Sequence, residues 1–292
     1  MAKHKYQPKT KEELKALCKD DSVYLGDIDT SKIIDMSELF MYSDRENFSG
    51  IETWNTSNVK DMSYMFAKTD YFNAPIENWN VSKVESMSGM FYYAKSFNQP
   101  LNGWNISKVK SMCAMFCKAK SFNQPLDKWN VSKVKDMSLM FDTAISFNQP
   151  IGNWNVSKVK DIHAMFCEAT FFNQDISKWD VSNVGYMNYM FCKAKSFNQP
   201  LANWDVSNVK NMCGMFDRAY SFNQSIGNWN VSKVENMKYM FDDAKSFKQR
   251  LPKKWAEKAD YINPKEIKKK TSLKLKTKVV QQDKAIGDRG DE

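Results

Sequence analysis

The sequence predicts an α/β solenoid, in which short repeats stack one on another to form a single elongated domain. Eight tryptophans, from Trp54 to Trp229, follow one another at intervals of 25 residues. Self-similarity at a period of about 20 to 50 residues is typical of stacked supersecondary units. Apolar residues recur at the same places in these copies, which indicates that each unit buries surface against its neighbours.

Nine units are predicted, one of them degenerate. They start at Ile28, Trp54, Trp79, Trp104, Trp129, Trp154, Trp179, Trp204 and Trp229. The chain is therefore divided into three parts. These are an N-terminal capping helix within residues 1–27, a repeat solenoid over residues 28–254, and a closing cap with a basic tail over residues 255–292.

A short helix is predicted near the start of the chain, over residues 10–18. Thr10 stands at its N-cap, and Glu13 three residues later completes the pattern of a capping box. A solenoid needs a terminal element that covers its open end, and this helix is placed to cover the first unit. That unit is atypical because Ile28 stands in the place of the tryptophan.

Each unit divides into three parts when its tryptophan is numbered position 1. Leu101 to Val109 read LxxWxIxxV, the shape of the leucine-rich repeat line, and positions 1 and 3 alternate as in a short strand. Positions 6, 9, 12, 13 and 16 are apolar at steps of three and four, which predicts a short helix over positions 5–16, with shorter 3₁₀-like turns as the alternative. Pro100 ends the helical part and starts the return. Short parallel strands are thus expected on one side of the stack and short helices on the other.

The unit WNVSKVxxMxxMFxxAxxFNQPL resembles the 25-residue repeat of the BspA-like leucine-rich repeat proteins, a bacterial family labelled as a domain of unknown function. The resemblance covers about residues 28–251. It implies a right-handed, leucine-rich-repeat-like solenoid. For members that carry an export or lipoprotein signal, it also implies a role in adhesion at the cell surface. The family supplies no catalytic residues to carry over.

Two repeated rows are predicted to hold the units together. The asparagine before each turn proline is expected to bond backbone groups of its own and neighbouring turns. The tryptophans are expected in the core, with stacking on sugar rings as the alternative. Position 2 is asparagine in most units, and we expect cross-unit hydrogen bonds there, with binding of a peptide or polymer as the alternative. The ladder residues are Trp79, Trp104, Trp129, Trp154, Asn98, Asn123, Asn148 and Asn198.

Lysines recur at positions 5 and 7 of three successive units. They are Lys108, Lys110, Lys133, Lys135, Lys158 and Lys160. Like charges on adjacent units repel each other mildly. The repulsion along this stripe is therefore relieved by Asp136 and Asp161 at position 8, or the stripe binds an anion. A solvated ridge without a binding role is the structural alternative.

The net charge of +9 is concentrated at the C-terminus. Residues 245–292 contain 15 Lys and Arg against 7 Asp and Glu, a balance of +8, whereas residues 1–244 contain 28 against 27. Any argument for an anionic partner therefore applies to the tail first.

The six cysteines are scattered among the units, so we expect free thiols rather than a disulfide framework. Cys167 and Cys192 share one position in adjacent units. With only His4 and His163 in the chain, a zinc cluster has few ligands, and no cofactor is expected. The opening residues lack the apolar run of a signal peptide. A cytoplasmic location is therefore expected for the chain as written, and a cell-surface location, through a removed leader or unconventional export, is the alternative.

These features favour a non-enzymatic protein-protein interaction scaffold or an adhesion-type repeat protein, because a solenoid offers an extended surface and no set of nucleophile, base and orienting group is present. The alternative is binding of nucleic acid or an anionic surface through the basic tail and the lysine stripe. We expect a protein partner, with an anionic polymer or surface as the second candidate, and no small-molecule substrate. Recognition is expected at the variable positions 7, 8, 10, 11, 14, 15 and 17.

Overall fold

The computed structural model describes residues 4–258. Most of the predicted closing cap and the basic tail, from residue 259 onward, lies outside the described residues. Two α-helices are present in the described part, α1 over Lys11–Lys19 and α2 over Lys253–Lys258. Two short 3₁₀ turns cover Leu25–Asp27 and Ile51–Thr53.

Helix α1 lies at the N-terminal end of the repeats. The Thr10 hydroxyl accepts a hydrogen bond from the Glu13 amide at 3.2 Å, and the Glu13 carboxylate accepts one from the Lys9 amide. Leu14 and Cys18 are buried on its inner side. The Thr10 bond is that of a standard capping box, whereas the Glu13 carboxylate bonds the amide of the residue before the N-cap instead of the N-cap amide.

Arg45 attaches the segment that follows α1 to the first repeat. Its side chain is only 4% exposed. The guanidinium donates to the carbonyl oxygens of Cys18, Asp20 and Val23, and its Nε donates to the carbonyl of Asn47. Three backbone carbonyls from the α1 region thus find their partner on one side chain of the first repeat, as buried polar groups require.

Successive repeats lie side by side in register, so that a residue faces the one at the same position of the next repeat, 25 residues later or 26 between the first two repeats. Parallel bridges mark this arrangement at position 8 of each repeat. They join Asp35 to Asp61, Asp61 to Ser86, Ser86 to Ser111, Ser111 to Asp136, Asp136 to Asp161, Asp161 to Tyr186, Tyr186 to Asn211 and Asn211 to Asn236. A further bridge joins Tyr6 to Ile28 and adds the N-terminal segment to the first repeat.

The local structure of a repeat differs from the predicted strand and helix. Within residues 4–258, the repeats contain turns and single bridges, and positions 5–16 do not form a helix. The bridges fall at position 8, inside the predicted helix, rather than at positions 1 and 3. Trp104 and Val109 each close a turn, through bonds to the carbonyls of Leu101 and Ile106, so positions 1 and 3 are used in tight turns instead of a ladder.

The reason lies in two left-handed residues per repeat, at positions 11 and 15. In one repeat these are Ala114 (φ 55) and Lys118 (φ 61). A left-handed residue interrupts the right-handed path of a helix. It closes a turn instead, as in the bond from the Met115 amide to the Met112 carbonyl. Consecutive turns of three to four residues give the same apolar spacing as a helix, which is why the sequence pattern indicates one.

The backbone hydrogen bonds between the turn segment at positions 9–15 and the next repeat all run in the same direction, from the amides of the segment to the next repeat. The amides at positions 9, 11, 13 and 15 donate to carbonyls of the following repeat at 2.7–3.1 Å, for example from Ala114 to Ser138 and from Lys118 to Asp142. The amide at position 7 donates in the opposite direction, as from Lys135 to Lys110. This ladder satisfies the backbone groups that a helix would have paired internally.

The core consists of aromatic and methionine rows that run along the stack. Phenylalanines at positions 13 and 19 stack on each other, with ring centroids 3.9 Å apart for Phe91 and Phe97. Methionines at positions 9 and 12, such as Met137 and Met140, are fully buried. Each repeat therefore completes its core only in contact with its neighbours.

Candidate interaction surfaces

The predicted tryptophan ladder is buried. Trp79, Trp104, Trp129 and Trp154 are 3–4% exposed. Each indole Nε1 donates to a backbone carbonyl of the preceding turn, as from Trp129 to Leu101 at 2.9 Å. The rings of Trp129 and Trp154 lie parallel at 6.4 Å. Because both ring faces are covered by the core, this geometry leaves no face for a sugar ring.

The asparagine ladder at position 20 joins adjacent repeats through side-chain oxygens. Asn123 accepts a hydrogen bond from the Asn148 amide at 2.9 Å, and the same distance recurs for Asn98, Asn148 and Asn198 with their following repeats. The next residue, a glutamine, adds a second donor, as from Gln149 to Asn123 at 3.0 Å. These asparagines are therefore engaged within the stack.

The asparagines at position 2 behave differently from the expected cross-unit ladder. Each is exposed and accepts from the backbone amide two residues later, as Asn130 does from Ser132 at 3.1 Å. This is a local Asx turn within one repeat. The expectation of cross-unit hydrogen bonds at position 2 is therefore wrong, because the side chain finds a nearer donor in its own turn.

The six lysines of the stripe lie together on an exposed face of three adjacent repeats. Lys108, Lys133 and Lys158 occupy one row at position 5, and Lys110, Lys135 and Lys160 occupy the parallel row at position 7. Lys110 pairs with Glu85 at 2.5 Å, and Lys160 donates to Asn183 at 3.0 Å. The remaining four have no ion pair within residues 4–258.

A second surface lies on the N-terminal repeats at position 15, one of the variable positions at which recognition is expected. Four successive repeats alternate there, with Tyr42, Lys68, Tyr93 and Lys118. The Lys68 ammonium lies 4.3 Å from the centre of the Tyr42 ring, and the Lys118 ammonium lies 5.6 Å from that of Tyr93. These are cation–π distances. The alternation is visible in the sequence once position 15 is known to face outward.

This tyrosine–lysine surface surrounds an open cavity of about 490 Å³. Tyr42 and Tyr71 are 62% and 58% exposed, although tyrosine rings are large and apolar. Lys95 reaches the rim and pairs with Asp70 at 2.7 Å, which raises the pKa of Lys95 through that hydrogen bond. The lining residues are Ser43, Asp44, Lys68, Asp70, Tyr71, Tyr92, Tyr93 and Lys118.

One protein-family model matches the repeats of this chain. The model described as "Mycoplasma protein of unknown function, DUF285" matches residues 14–121, 101–192 and 173–273, which together span residues 14–273. The chain belongs to the DUF285 family. This confirms a repeat-containing domain of unknown function, while the likeness to BspA-like proteins stays a prediction. No curated protein matches the chain.

Position 14 of this DUF285 chain carries thiols and carboxylates in successive repeats. The Cys117 thiol donates to Asp142 at 3.4 Å, and the Cys192 thiol donates to Asp217 at 3.5 Å. Burial raises the pKa of both Cys117 and Asp142. A hydrogen bond with Cys192, followed by burial, raises the pKa of Cys167. The six thiols are free, as expected.

Two further properties of the DUF285 chain concern metal and membrane. Among the described residues, no group of three or more His, Cys, Asp or Glu side chains is arranged to hold a metal ion. Neither of the described helices has the length and apolar character needed to cross a membrane. The basic tail, to which the anionic-partner prediction first applies, lies outside the described residues.

Proposed function

We propose that this DUF285 chain is a non-enzymatic interaction scaffold that binds a protein partner at the tyrosine–lysine surface of its N-terminal repeats. The scaffold is a leucine-rich-repeat-like solenoid in this proposal, and its right-handedness is part of the same proposal. An adhesion-type role would use the same surface. The observation that carries the proposal is the exposure of Tyr42 and Tyr71 beside a cavity of about 490 Å³.

The different roles of the shared and the variable positions of a repeat support a binding site at the tyrosine–lysine surface. The repeated residues are engaged with one another, the tryptophans in the core and the asparagines at position 20 in the ladder between repeats. Residues at positions 15 and 17 differ between repeats and are partly or fully exposed. A partner that distinguishes this protein from other repeat proteins must read those positions, because residues shared by every repeat do not differ from one repeat to the next.

The chemistry of the surface also favours a protein partner. Tyrosine is enriched at the centres of protein interfaces, where it contributes large contact area at a small cost in conformational entropy. The lysines over Tyr42 and Tyr93 hold the rings in place, and the paired Asp70 and Lys95 provide a polar rim. An aromatic centre with a polar rim matches the usual anatomy of such interfaces.

Quantitative affinity capture from the source cell, followed by titration of each captured protein in purified form, tests the proposal. The variant Tyr42→Ser with Tyr71→Ser is expected to weaken binding of the genuine partner at least tenfold. Phe171→Ser is the matched control, because Phe171 occupies the same position as Tyr71 and is 60% exposed but lies outside the cavity. Equal binding by all three proteins, or catalytic turnover of a captured molecule, would overturn the proposal.

A further inference from the structure

We propose that the two lysine rows bind duplex nucleic acid through its phosphates, without regard to base sequence. This site is separate from the tyrosine–lysine surface and does not depend on it. It consists of the six lysines of the stripe together with Lys210, which continues the position 7 row. The question left open by the sequence is whether nearby acids neutralise the rows, and the structure answers it.

Asp136 and Asp161 do not neutralise the lysines. The Asp136 carboxylate accepts from the amide and hydroxyl of Ser138 at 2.9 and 2.6 Å. The Asp161 carboxylate accepts from the amide and the ring nitrogen of His163 at 2.9 and 2.8 Å. The bonded oxygen of each carboxylate faces position 10, and neither aspartate forms an ion pair with a lysine of the rows. Lys110, which pairs with Glu85, is therefore the one lysine of the stripe with an ion pair among the described residues.

The stack fixes the spacing of the charges. Bridges at position 8 hold the neighbouring repeats in register directly beside the position 7 row. Adjacent strands lie about 4.8 Å apart, so Lys110 and Lys210, four repeats apart, are separated by about 19 Å. Lys110 is paired with Glu85, and the other six lysines over that length give about one charge per 3 Å, close to the roughly 3.4 Å per phosphate along each strand of duplex DNA.

The gap in the position 7 row is a shallow recess. Gly185 replaces a lysine there, and a cavity of about 360 Å³ opens between Lys160 and Lys210. Asn183, Asn208 and Tyr186 also line it, and the side-chain amides of both asparagines already donate to backbone carbonyls at 2.8 Å. The ammonium groups of Lys160 and Lys210 are therefore the cationic donors that border the recess and that a phosphate oxygen would meet there.

Duplex is favoured over single-stranded nucleic acid by the residue types around the rows. Positions 2, 4, 5, 7 and 8 of the repeats starting at Trp104, Trp129 and Trp154 contain only Asn, Ser, Lys and Asp. Proteins that bind single strands place aromatic side chains under the bases. Tyr186 at the recess is the one ring at these positions between Trp104 and Lys210, and a single ring cannot stack successive bases. A surface of lysines with one ring therefore favours the outside of a duplex, where phosphate contacts give affinity without sequence information.

The test measures the binding of full-length protein to a fluorescent 20-base-pair DNA duplex at several salt concentrations. Lys133→Gln with Lys158→Gln removes two phosphate contacts, so the slope of log K against log salt is expected to fall in magnitude by about 1.8. Lys120→Gln with Lys195→Gln removes the same charge from position 17 and is expected to leave the slope unchanged. Thermal unfolding checks that each variant is folded, and Lys108→Gln with Lys135→Gln replaces the first pair if it is not.

Residues 259–292 are present in every protein compared, so their contribution cancels in the differences. Equal effects of the two pairs would overturn the proposal, because the binding would then reflect net charge alone. Tighter binding of a 20-nucleotide single strand than of the duplex would also overturn it. So would a dependence on Lys133 and Lys158 that appears with heparin, a sulfated polysaccharide, and is absent with the duplex.

Discussion

Replacing Asn148 by alanine tests whether the position 20 ladder stabilises the stack. The Asn148 side-chain oxygen accepts two hydrogen bonds from the next repeat, from the Asn173 amide at 2.9 Å and from Gln174 Nε2 at 3.0 Å. Gln174 also donates to the Asn148 carbonyl at 3.0 Å, and that bond survives the change. Alanine therefore leaves one part-buried backbone amide without its acceptor.

The expected loss follows from that count. A hydrogen bond contributes about 0.5–1.5 kcal/mol net, and a buried donor left unpaired costs about 1–3 kcal/mol. Because the site is only partly buried, we expect Asn148→Ala to lower the free energy of unfolding by about 1–2 kcal/mol. Asn148→Asp keeps an acceptor in the same place and should lose less than half as much.

Asn155 provides a matched control. Its side-chain oxygen also accepts two hydrogen bonds, from the amide and the hydroxyl of Ser157 at 3.2 and 2.6 Å, but both lie within one repeat and are exposed. Water replaces them when the side chain is removed, so Asn155→Ala should cost about 0.5 kcal/mol or less.

Urea unfolding followed by tryptophan fluorescence measures these differences. With an m-value of about 3 kcal/mol/M, a loss of about 1.5 kcal/mol moves the midpoint by about 0.5 M. Equal midpoints for Asn148→Ala and Asn155→Ala would refute a role of the ladder in stability. A loss for Asn148→Asp as large as that for alanine would show that the acceptor is not the relevant feature.

Three further predictions concern single sites. Gly89→Ala is expected to cost about 1–3 kcal/mol by overpacking, since its Cβ would lie 2.3 Å from the Tyr64 ring, and adding Tyr64→Ala should recover part of the loss in a double-mutant cycle of unfolding free energies. Arg45→Met should cost about 3 kcal/mol or more and speed proteolysis near α1, because three carbonyls lose their donor. The hydrogen bond with Asp161 raises the pKa of His163. Its stabilisation is full below pH 6.5 and lost as pH rises through the folded-state pKa, so Asp161→Asn should shift the urea midpoint more at about pH 5.5 than at about pH 8.5.

Each of these has a control on the same chain. Gly103→Ala places its Cβ in open space and should change stability by less than about 0.5 kcal/mol. Arg218, whose side chain is 45% exposed, should tolerate methionine with little loss. Asp61→Asn keeps the cap on Ser63, lies four repeats away from His163 and should show no such dependence on pH. A control that matches its test variant would contradict the corresponding prediction.

The period and the core could be read from the sequence because both are consequences of apolar spacing. The turns could not, since left-handed backbone is normally signalled by glycine or asparagine. Here the left-handed positions include Leu139 (φ 58) and Thr143 (φ 57), which are poor local candidates. Their amides donate to His163 and Cys167 of the next repeat at 2.8 and 2.7 Å. The conformation is therefore fixed by contacts between repeats, which are absent from the local sequence.

The candidate surfaces, like the turns, could be predicted from the sequence only in part. The lysine rows were visible because position 5 and position 7 are exposed in either local structure. Position 15 is among the variable positions expected to carry recognition, but on packed helices its residues in adjacent repeats would lie about 8 to 10 Å apart. In the turn structure, position 15 residues of adjacent repeats, such as Tyr42 and Lys68, lie directly beside each other. A one-dimensional alternation then becomes a continuous row of ring and ammonium groups.

The polarity of the turn ladder makes the two ends of the stack chemically different. Four amides per repeat point towards the C-terminal end, and among the described residues those of Met237 and Tyr239 in the last repeat have no acceptor. At the other end α1 brings Lys11 and Lys15 to Asp35 and Glu38, so cations face the carbonyl end of the ladder. At positions 9 and 11, two C-terminal ends brought together would oppose donors with donors, so this part of the ladder disfavours association between like ends.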